Sequence, residues 1–459
     1  MLYRKRMADL LNWKNNDTSA LLVDGARQVG KTKLIEEFIK HFDHYVEIDF
    51  TKNANALSLL LEVKDYDDFV NRLSIISETK LIKTNSVLFL DEIQYFYEIR
   101  ENRIRENPRF KENYVDPITL SKEIAERGEF RLIMSGSLLG VSVLSINLNP
   151  TGYLKKMRMY PLDFEEFLLA NNINQKIIDE VKMSFANKEP VSDSLNQLLL
   201  KKFKEYVLIG GFPAAVQGYI NDKSLETTTS VLDTINSWYK ADIVKYADKE
   251  DRLVILEMYN LLPSEITMKN RKFVKSHLTN VPNFKNLDLR DRFLWLKNAE
   301  VAIPTYNVSN PRYPIKISED SKLVKLFMND SGLLTHFIFD VEAKRKLLVD
   351  SKGVDLGAAY ENAVAELLLA HGYEPRFHST VKNGEIDFII ERNMTVIPIE
   401  VKSYEPDKST GFFSHSALNN VLRAHEEIKE SWVFGLNNVK EEKNNIHMFP
   451  IYMIDFIRK

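Results

Sequence analysis

The stretch that decides the fold of the N-terminal part is Ala20-Leu21-Leu22-Val23-Asp24-Gly25-Ala26-Arg27-Gln28-Val29-Gly30-Lys31-Thr32. Its apolar start predicts a strand, and the amphipathic run from Lys33 to Ile39 that follows predicts a helix. The glycines between them let successive backbone N–H groups converge on phosphates at the helix N-terminus. In such a loop the lysine reaches the β and γ phosphates and the hydroxyl residue binds Mg²⁺. The pattern therefore predicts a nucleoside triphosphate site rather than a simple glycine-bearing turn.

A second motif supplies the acidic groups that this site needs. The run Ser86-Val87-Leu88-Phe89-Leu90-Asp91-Glu92 is apolar and ends in two carboxylates, which is typical of a central parallel strand that ends at a ligand crevice. We expect Asp91 and Thr32 to hold Mg²⁺ and Glu92 to polarise the attacking water. Apolar runs at 45–50 and 130–134 complete a β/α alternation, so a doubly wound parallel α/β sheet is predicted. The predicted ligand is ATP, bound by Gly25, Ala26, Arg27, Gln28, Val29, Gly30, Lys31 and Thr32.

Composition limits the other functions of the chain. Its 459 residues exceed one typical hydrophobic core, so two or more domains are expected. Lys and Arg number 62 and Asp and Glu 65, so a global positive field for nucleic acid is excluded and any DNA or RNA contact must be local. The chain has no cysteine, which excludes disulfides and thiol catalysis. The stretch 132–148 is interrupted by Ser and Gly and predicts a buried strand and a loop rather than a membrane span. We expect a cytoplasmic protein without membrane contact.

These motifs resemble those of the AAA-type ATPases of bacteria and archaea. The resemblance rests on Asp24 to Thr32, on Leu90-Asp91-Glu92-Ile93-Gln94, on Ser135-Gly136-Ser137 and on Met159-Tyr160-Pro161-Leu162-Asp163-Phe164-Glu165-Glu166-Phe167. It continues through Gly210-Gly211-Phe212-Pro213 and Asp330-Ser331-Gly332-Leu333-Leu334 and covers nearly the whole chain. It implies ATP hydrolysis with Lys31 and Glu92, a γ-phosphate sensor at Ser135, and an arginine finger from a neighbouring domain or from a neighbouring subunit of a homo-oligomer. Arg158 is the candidate finger and Arg131 a weaker one; a surface or helix-capping arginine is the alternative.

The middle of the chain is mainly helical by pattern. Apolar residues at three- and four-residue spacing predict a helical lid or connector at 168–247, in which Gly210-Gly211-Phe212-Pro213 is either a lid element or a corner between helices. At 248–345, short helices precede possible wing strands at 302–306 and 315–317. This order suggests a winged-helix-like domain, with Lys269, Arg271, Lys272 and Lys275 as a modest basic face toward phosphates. A helical packing module with a solvated surface is the alternative.

The C-terminal part carries a second set of polar residues. An amphipathic helix from Gly357 precedes two strand patterns, Gly384-Glu385-Ile386-Asp387-Phe388-Ile389-Ile390 and Ile397-Pro398-Ile399-Glu400-Val401-Lys402. Residues two apart on a strand share a face, so Glu400 and Lys402 project together, with Asp387 beside them across a hairpin. Two carboxylates suit Mg²⁺ or Mn²⁺, and an ammonium can position water or neutralise charge. A plain ion pair between Glu400 and Lys402 is the alternative.

This arrangement resembles the PD-(D/E)XK nuclease superfamily. The resemblance assigns the metal and lysine roles to Asp387, Glu400 and Lys402, with Glu361 as the helix-borne auxiliary acid, and implies a restriction-endonuclease-like α/β domain that binds a second Mg²⁺ or Mn²⁺. Ile386 stands where the family name has proline, as in many members.

Together these patterns predict four domains: an ATPase core at 1–167, the connector at 168–247, the winged-helix-like part at 248–345 and the nuclease-like part at 346–459. We expect an ATPase whose nucleotide cycle controls a nucleic-acid-directed nuclease-like domain. The alternative is a nucleotide-switched scaffold or signalling ATPase that binds a protein partner through a silent nuclease fold. A mobile-element or defence component is a third possibility. The candidate partners are therefore DNA or RNA, a protein client and further copies of the chain.

Overall fold

The computed structural model describes residues 2–77, 85–137, 152–268, 271–281, 287–349, 354–404, 415–442 and 445–459. The chain forms two compact units. The first consists mainly of residues 3–160 together with Asn298–Glu300, and the second mainly of residues 161–297 and 301–459. Among the described residues, no helix is both long and apolar enough to span a membrane.

The first unit is a parallel sheet with helices. Its strands are β1 (Ala20–Gly25), β2 (His44–Asp49), β3 (Ser86–Asp91), β4 (Arg131–Ser135) and β5 (Leu154–Met159). Their order is β2-β3-β4-β1-β5, and every neighbouring pair is parallel. Its helices are α1 (Arg6–Asn16), α2 (Lys31–Phe38), α3 (Ala54–Leu61), α4 (Tyr66–Ile76), α5 (Ile93–Glu106), α6 (Phe110–Asn113) and α7 (Pro117–Arg127). The parallel α/β fold expected from the sequence is confirmed for this unit.

Burial explains the apolar runs of this sheet. Strand β3 lies between β2 and β4, and Val87, Leu88, Phe89 and Leu90 are all fully buried because both faces of the strand are covered. Strand β4 lies between β1 and β3, so the carboxyl ends of these three strands meet at one edge. Residues 138–151, which include most of the apolar stretch 132–148, lie outside the described residues.

Helices dominate the start of the second unit. They are α8 (Phe164–Ala170), α9 (Gln175–Asn187), α10 (Asp193–Ile209), α11 (Pro213–Asp222), α12 (Leu225–Tyr246), α13 (Arg252–Thr267), α14 (Arg290–Asn298), α15 (Ser331–Ile338) and α16 (Val341–Val349). Helix α14 is assigned to this unit up to Lys297. Residues 168–247, predicted to be mainly helical, consist mainly of helices. The corner at Gly210-Gly211-Phe212-Pro213 joins α10 to α11.

That corner is closed by the second glycine-containing motif. A Cβ on Gly332 of α15 would stand 2.3 Å from the backbone N of Gly210, which no real side chain allows. Asp330 caps α15 through the N–H of Leu333, and its other oxygen accepts a 2.7 Å hydrogen bond from the N–H of Gly211. The two motifs of the chain are therefore in backbone contact, and their small residues are required by that approach.

The rest of the second unit is a mixed sheet with two further helices. Its strands are β6 (Ala302–Val308), β7 (Glu319–Met328), β8 (Arg376–Thr380), β9 (Gly384–Arg392), β10 (Thr395–Val401), β11 (Ser431–Gly435), β12 (Lys440–Glu442) and β13 (Ile446–Pro450). Their order is β12-β13-β11-β10-β9-β8-β6-β7. Helices α17 (Gly357–Ala370) and α18 (Ser416–Ala424) accompany it. A mixed α/β C-terminal part is present, as expected.

The segments proposed as wing strands differ from that expectation in one respect. Residues 302–306 are in β6, but Ile315–Ser318 form a 3-10 turn and the next strand, β7, begins at Glu319. The apolar alternation of Ile315 and Ile317 suggested a strand, whereas Ile317 is largely exposed and only Ile315 is buried. Strands β6 and β7 are part of the mixed sheet.

Candidate functional sites

The glycine-rich turn between β1 and α2 has the backbone of a phosphate-binding loop. Gly25 has φ of 151°, and a Cβ there would stand 2.4 Å from the carbonyl oxygen of Met159. Gly30 has φ of 91° and is the residue before Lys31, which begins α2. Both conformations favour glycine. Residues Ala26, Arg27, Gln28 and Val29 complete the turn.

Lys31 points back into this turn. Its Nζ donates hydrogen bonds to the carbonyl oxygens of Gly25 and Ala26, at 2.8 and 2.9 Å. Burial lowers the pKa of Lys31, while the nearby carboxylates of Glu300, Glu92 and Asp91 oppose that shift. The ammonium group of Lys31 is thus held inside the glycine-rich turn.

Asp91 joins the three motifs predicted to form the site. Its Oδ2 accepts a 2.8 Å hydrogen bond from the Thr32 hydroxyl, and its Oδ1 accepts one from the Ser135 hydroxyl. Thr32 lies on α2, Asp91 ends β3 and Ser135 ends β4. The structure therefore brings the predicted Mg²⁺ residues and the predicted sensor together, because parallel strands place their carboxyl ends at one edge.

Glu92 follows Asp91 and lies just before α5. It adopts the left-handed conformation, with φ of 54°, which a non-glycine residue rarely does. Its Oε2 accepts a hydrogen bond from Nε2 of the buried Gln94, a residue that the sequence analysis did not assign. Gln94 therefore holds the carboxylate predicted to act on water.

The candidate arginine fingers lie at different places in the first unit. Arg158 is on β5, where its Nη2 is 3.0 Å from Oδ2 of Asp24, the residue before the glycine-rich turn. Its Nε is 3.0 Å from Oε1 of Glu300. Arg131, at the start of β4, donates to the carbonyl of Lys14 at 3.4 Å. Arg158 thus lies beside the turn within its own chain, and Arg131 does not.

Glu300 is a site residue that sequence reasoning missed. It belongs to the short segment Asn298–Glu300 of the first unit, has φ of 59° and accepts a hydrogen bond from the backbone N–H of Ala26. Burial and Asp24 raise its pKa to about 8, against the opposing effects of Arg158 and Lys31. About 270 residues separate Glu300 from the turn, so no local sequence pattern could have predicted that they meet.

Arg4 is a second residue of this kind. Its Nη1 donates to the carbonyl of Val29 at 2.6 Å and its Nη2 to the carbonyl of Tyr160 at 2.7 Å. A buried guanidinium therefore ties the glycine-rich turn to the end of β5. The basic start of the sequence showed only a charge pattern, without this role.

These residues fit ATP with Mg²⁺. The carboxyl of Glu300 lies at the backbone N–H of Ala26, and N–H groups of such a turn are the groups that bind phosphate. Lys31 lies within the turn, and the Thr32 hydroxyl and Asp91 carboxylate are adjacent oxygen groups of the type that Mg²⁺ prefers.

The second site is built on the hairpin predicted from the sequence. Strands β9 and β10 are antiparallel, with Ile399 opposite Phe388, and continuing this register brings Glu400 opposite Asp387. Asp387 Oδ2 accepts a 2.8 Å hydrogen bond from the N–H of Val401. Lys402 Nζ lies 3.0 Å from Oε2 of Glu400. The structure therefore brings Asp387, Glu400 and Lys402 together.

Charge in this cluster is dense and buried. Burial raises the pKa of Asp387, with a further increase from Glu400, and Lys325 opposes the shift. Burial lowers the pKa of Lys402, but Glu400 and Asp387 raise it more, so the net shift is upward. The two carboxylates thus repel each other where a cation between them would relieve the repulsion.

Glu361 lies near these residues on α17, where it is the fifth residue of the helix and is also buried. One oxygen pairs with Nη1 of Arg271, and the other is 4.0 Å from Nζ of Lys325. Lys325, on β7, is almost completely buried and lies 2.7 Å from Glu385. The sequence did not identify Lys325, or His415, whose Nδ1 is 3.3 Å from Glu400. Neither residue belongs to a recognisable sequence motif, because only the tertiary fold brings it to this site.

The basic face proposed for the middle of the chain is used differently. Arg271 pairs with Glu361, and Lys272 lies 2.9 Å from Glu385 and donates to the Ser379 hydroxyl at 2.8 Å. Lys275 donates to the carbonyl of Leu287. Lys269 lies outside the described residues. Arg271 and Lys272 are therefore bound to the acidic side of the second site.

This cluster has the donor set for a divalent cation. Asp387 and Glu400 supply oxygen ligands from neighbouring strands, and a buried oxygen of Glu361 has no hydrogen bond among the described residues. Carboxylate oxygens suit Mg²⁺ or Mn²⁺. In this structure, however, Lys402 and His415 are already close to Glu400.

Comparison with protein families matches three parts of the chain. Residues 17–168 match the model of an AAA domain. Residues 200–344 match a domain of unknown function, DUF8612, and residues 356–454 match another, DUF4143. With the parallel sheet and the glycine-rich turn described above, the first match defines residues 17–168 as an AAA-type P-loop ATPase domain.

Two similar proteins are themselves without an assigned function. An uncharacterized protein of Haemophilus influenzae is 24% identical over 471 residues, covering 98% of this chain and 97% of that protein. The uncharacterized protein MJ1544 of Methanocaldococcus jannaschii is 24% identical over 407 residues, covering 84% of this chain and 77% of that protein. The similarity thus extends through both units and not only through the ATPase domain.

Solved structures show more distant similarity. The Walker-type ATPase PABY2304 of Pyrococcus abyssi has a TM-score of 0.41 and 13% identity, covering 74% of this chain and 96% of that one. The Aeropyrum pernix ORC1 protein in complex with DNA has a TM-score of 0.28 and 12% identity, covering 76% and 92%. TM-scores this low do not establish a shared fold.

Proposed function

We propose that this chain hydrolyses ATP and that its nucleotide cycle controls a metal-dependent, nucleic-acid-directed nuclease-like site at Asp387, Glu400 and Lys402. The observation that carries the nuclease part is the convergence of two buried carboxylates from adjacent antiparallel strands, with an ammonium 3.0 Å from one of them. The proposal assigns the ATPase to 1–167, the connector to 168–247, the winged-helix-like part to 248–345 and the nuclease-like part to 346–459.

In the ATPase domain each residue has a role in ATP + H₂O → ADP + phosphate. Lys31 and the N–H groups from Gly25 to Thr32 bind the phosphates, and Thr32 and Asp91 hold Mg²⁺. Glu92 orients and polarises the water that attacks the γ-phosphorus. Ser135, which shares Asp91 with Thr32, senses the γ-phosphate. Arg158 neutralises charge that develops on the phosphoryl group.

In the nuclease-like site Asp387 and Glu400 would hold a divalent cation, with Glu361 as auxiliary acid. The cation would supply Lewis acidity at a phosphodiester. Lys402 would position water beside that ester or neutralise the charge of the transition state. Phosphodiester hydrolysis adds water across one P–O bond, and the proton of the water leaves with the released alcohol.

The alternative is a nucleotide-switched scaffold with a silent nuclease fold and a protein partner. One observation favours it: Glu361 and Glu400 are paired with Arg271 and Lys402, so their charges are compensated without metal. A paired cluster can be retained for structure alone.

Metal binding separates the two proposals. We expect the full chain, without nucleotide, to bind Mn²⁺ as seen in the loss of the free-ion EPR signal, and the double variant D387N/E400Q to lose that binding. The matched control is E205Q, which changes a glutamate paired with Lys202. Equal Mn²⁺ binding by wild type and double variant, or none by wild type, favours the scaffold.

A further inference from the structure

A third polar cluster lies in the second unit, apart from the residues assigned above. It consists of Asp163, His371 and Asp455, whose ligating atoms all lie within 4.8 Å of one another. Asp163 is the residue before α8, His371 follows the end of α17, and Asp455 lies in the 3-10 segment Ile451–Phe456. Three segments that are distant in sequence therefore meet at these side chains.

Both carboxylates are oriented by the backbone. Oδ1 of Asp163 accepts the N–H of Glu166 at 2.9 Å, and Oδ2 of Asp455 accepts the N–H of Glu165 at 2.9 Å. The other oxygen of each aspartate lies near the same ring nitrogen. His371 Nε2 lies 3.6 Å from Oδ2 of Asp163 and 3.2 Å from Oδ1 of Asp455. Such outer hydrogen bonds are how proteins orient metal ligands.

The imidazole itself points to a ligand. The His371 side chain is 4% exposed, and neither ring nitrogen makes a well-aligned hydrogen bond to any residue in the described part of the chain. Oδ1 of Asp455 is 3.2 Å from Nε2 and Oδ2 of Asp163 is 3.6 Å from it. Ligands of one tetrahedral ion with bonds of about 2.0–2.1 Å are separated by about 3.3 Å, which is close to both of these distances.

We propose that Asp163, His371 and Asp455 form a binding site for a divalent transition-metal ion of the Zn²⁺ type. The ligands are Nε2 of His371, Oδ2 of Asp163 and Oδ1 of Asp455. Asp163 is the most exposed of the three, with 12% of its side chain accessible, so the fourth ligand is water on that side. The ion joins the start of α8, the end of α17 and the C-terminal segment.

A proton is the competing occupant. Burial lowers the pKa of His371, but Asp163 and Asp455 more than offset this, and the net shift is upward. An imidazolium therefore also suits the cluster in the absence of metal. Arg458 adds a positive charge 3.9 Å from Oδ2 of Asp163 and 3.6 Å from Glu165, and Lys182 also pairs with Glu165. Zn²⁺ must displace this proton to bind. Co²⁺ bound in the same place gives visible ligand-field bands, which an imidazolium ion does not.

The test uses the full chain, with Zn²⁺ and Co²⁺ as probes and without nucleotide. The D387N/E400Q background removes the other carboxylate site. In that background we expect one tightly bound Zn²⁺ per chain by equilibrium dialysis, and the visible bands of tetrahedral Co²⁺ at the same stoichiometry. Zn²⁺ is also expected to raise the thermal midpoint. The D163N variant should weaken Zn²⁺ binding about 100-fold and lose the Co²⁺ bands.

D163N is the informative change because asparagine also caps helices through its side-chain oxygen, so α8 keeps its cap while the ligand is lost. H371Q is the second variant, with the same expected loss. The matched control D193N changes an exposed aspartate in the first turn of α10 and should leave binding unchanged. If D163N and H371Q bind Zn²⁺ as the background protein does, or if that protein shows no tetrahedral Co²⁺ bands, the cluster is an imidazolium ion pair and the proposal is overturned.

Discussion

Arg158 on β5 makes an ion pair with Glu300, with 3.0 Å between Nε and Oε1, and this pair holds a carboxylate of the chain itself against the phosphate-binding loop. Glu300 accepts the N–H of Ala26, a group of the kind that phosphates use. The side chain of Glu300 therefore contacts both Arg158, the arginine proposed to stabilise the transferred phosphate, and the loop proposed to bind phosphate.

Removing that anion should favour nucleotide. Above about pH 8, where Glu300 is ionised, E300Q removes the charge that competes for Ala26 and Arg158 and keeps the shape of the side chain, so at that pH ATP is expected to bind about tenfold more tightly. Titration calorimetry with ATP and Mg²⁺ measures this. The control E205Q should bind ATP as wild type does. An unchanged or weaker affinity in E300Q contradicts competition at the loop.

The raised pKa of Glu300 predicts a pH dependence of stability. Its folded-state pKa is about 8 against an ordinary 4.5, so the folded protein binds the proton more tightly than the unfolded chain does. The resulting stabilisation is fully present below about pH 4.5 and is lost as pH rises through about 8. Asp24, Arg158, Tyr160 and Lys31 face this carboxyl.

Urea unfolding of wild type and E300Q across pH 5 to about 9 measures this difference. Glu300 also raises the pKa of the buried Lys31, so the difference between the two proteins reports Glu300 together with its interaction with Lys31. The free energy of unfolding of wild type should fall relative to that of E300Q as pH rises. If the free energies of unfolding of the two proteins change with pH in the same way, the raised pKa of Glu300 is contradicted.

Glu92 is expected to act in hydrolysis and not in binding. The variant E92Q should keep ATP affinity and lose about 100-fold in hydrolysis rate, because the amide cannot polarise water as a carboxylate does. Phosphate release and nucleotide affinity are measured on the same sample. E101Q, further along the same helix α5, is the control. A full hydrolysis rate in E92Q shows that another group acts on water.

The contact between the two glycine motifs makes a prediction about stability. G332A inserts a methyl group against the backbone of Ile209 and Gly210, and the free energy of unfolding should fall by about 3 kcal/mol. G128A is the control, since it adds a methyl into open space and carries only the strain of φ near 63°, about 1 kcal/mol. Chemical denaturation compares them. Equal losses in the two variants contradict the contact.

The sequence predicted the parts of both sites that local patterns define. The turn from Gly25 to Thr32, the strand ending at Asp91 and the hairpin that brings Asp387 and Glu400 together all follow from spacing and periodicity. Glu300 and Lys325 could not be predicted, because each reaches its site through tertiary packing and is an ordinary charged residue in its own segment. The strand expected at Ile315 to Ile317 was wrong because alternation over so few residues does not distinguish a strand from a 3-10 turn.

Some expectations stay predictions. These are the winged-helix-like nature of 248–345, the formation of a homo-oligomer, and contact with DNA, RNA or a protein client. Of the basic residues of the middle region, Arg271 pairs with Glu361 and Lys272 with Glu385.

The most direct test of the central claim measures ATP hydrolysis and nucleic-acid cleavage in one reaction, with Mg²⁺ or Mn²⁺ and with single-stranded DNA, double-stranded DNA and RNA as separate substrates. The account predicts that wild type performs both reactions on at least one substrate, that K31A loses both, and that D387N keeps hydrolysis while cleavage falls by about 100-fold or more. Wild-type protein that hydrolyses ATP but cleaves none of the three substrates, or K31A that cleaves at the wild-type rate, would contradict it.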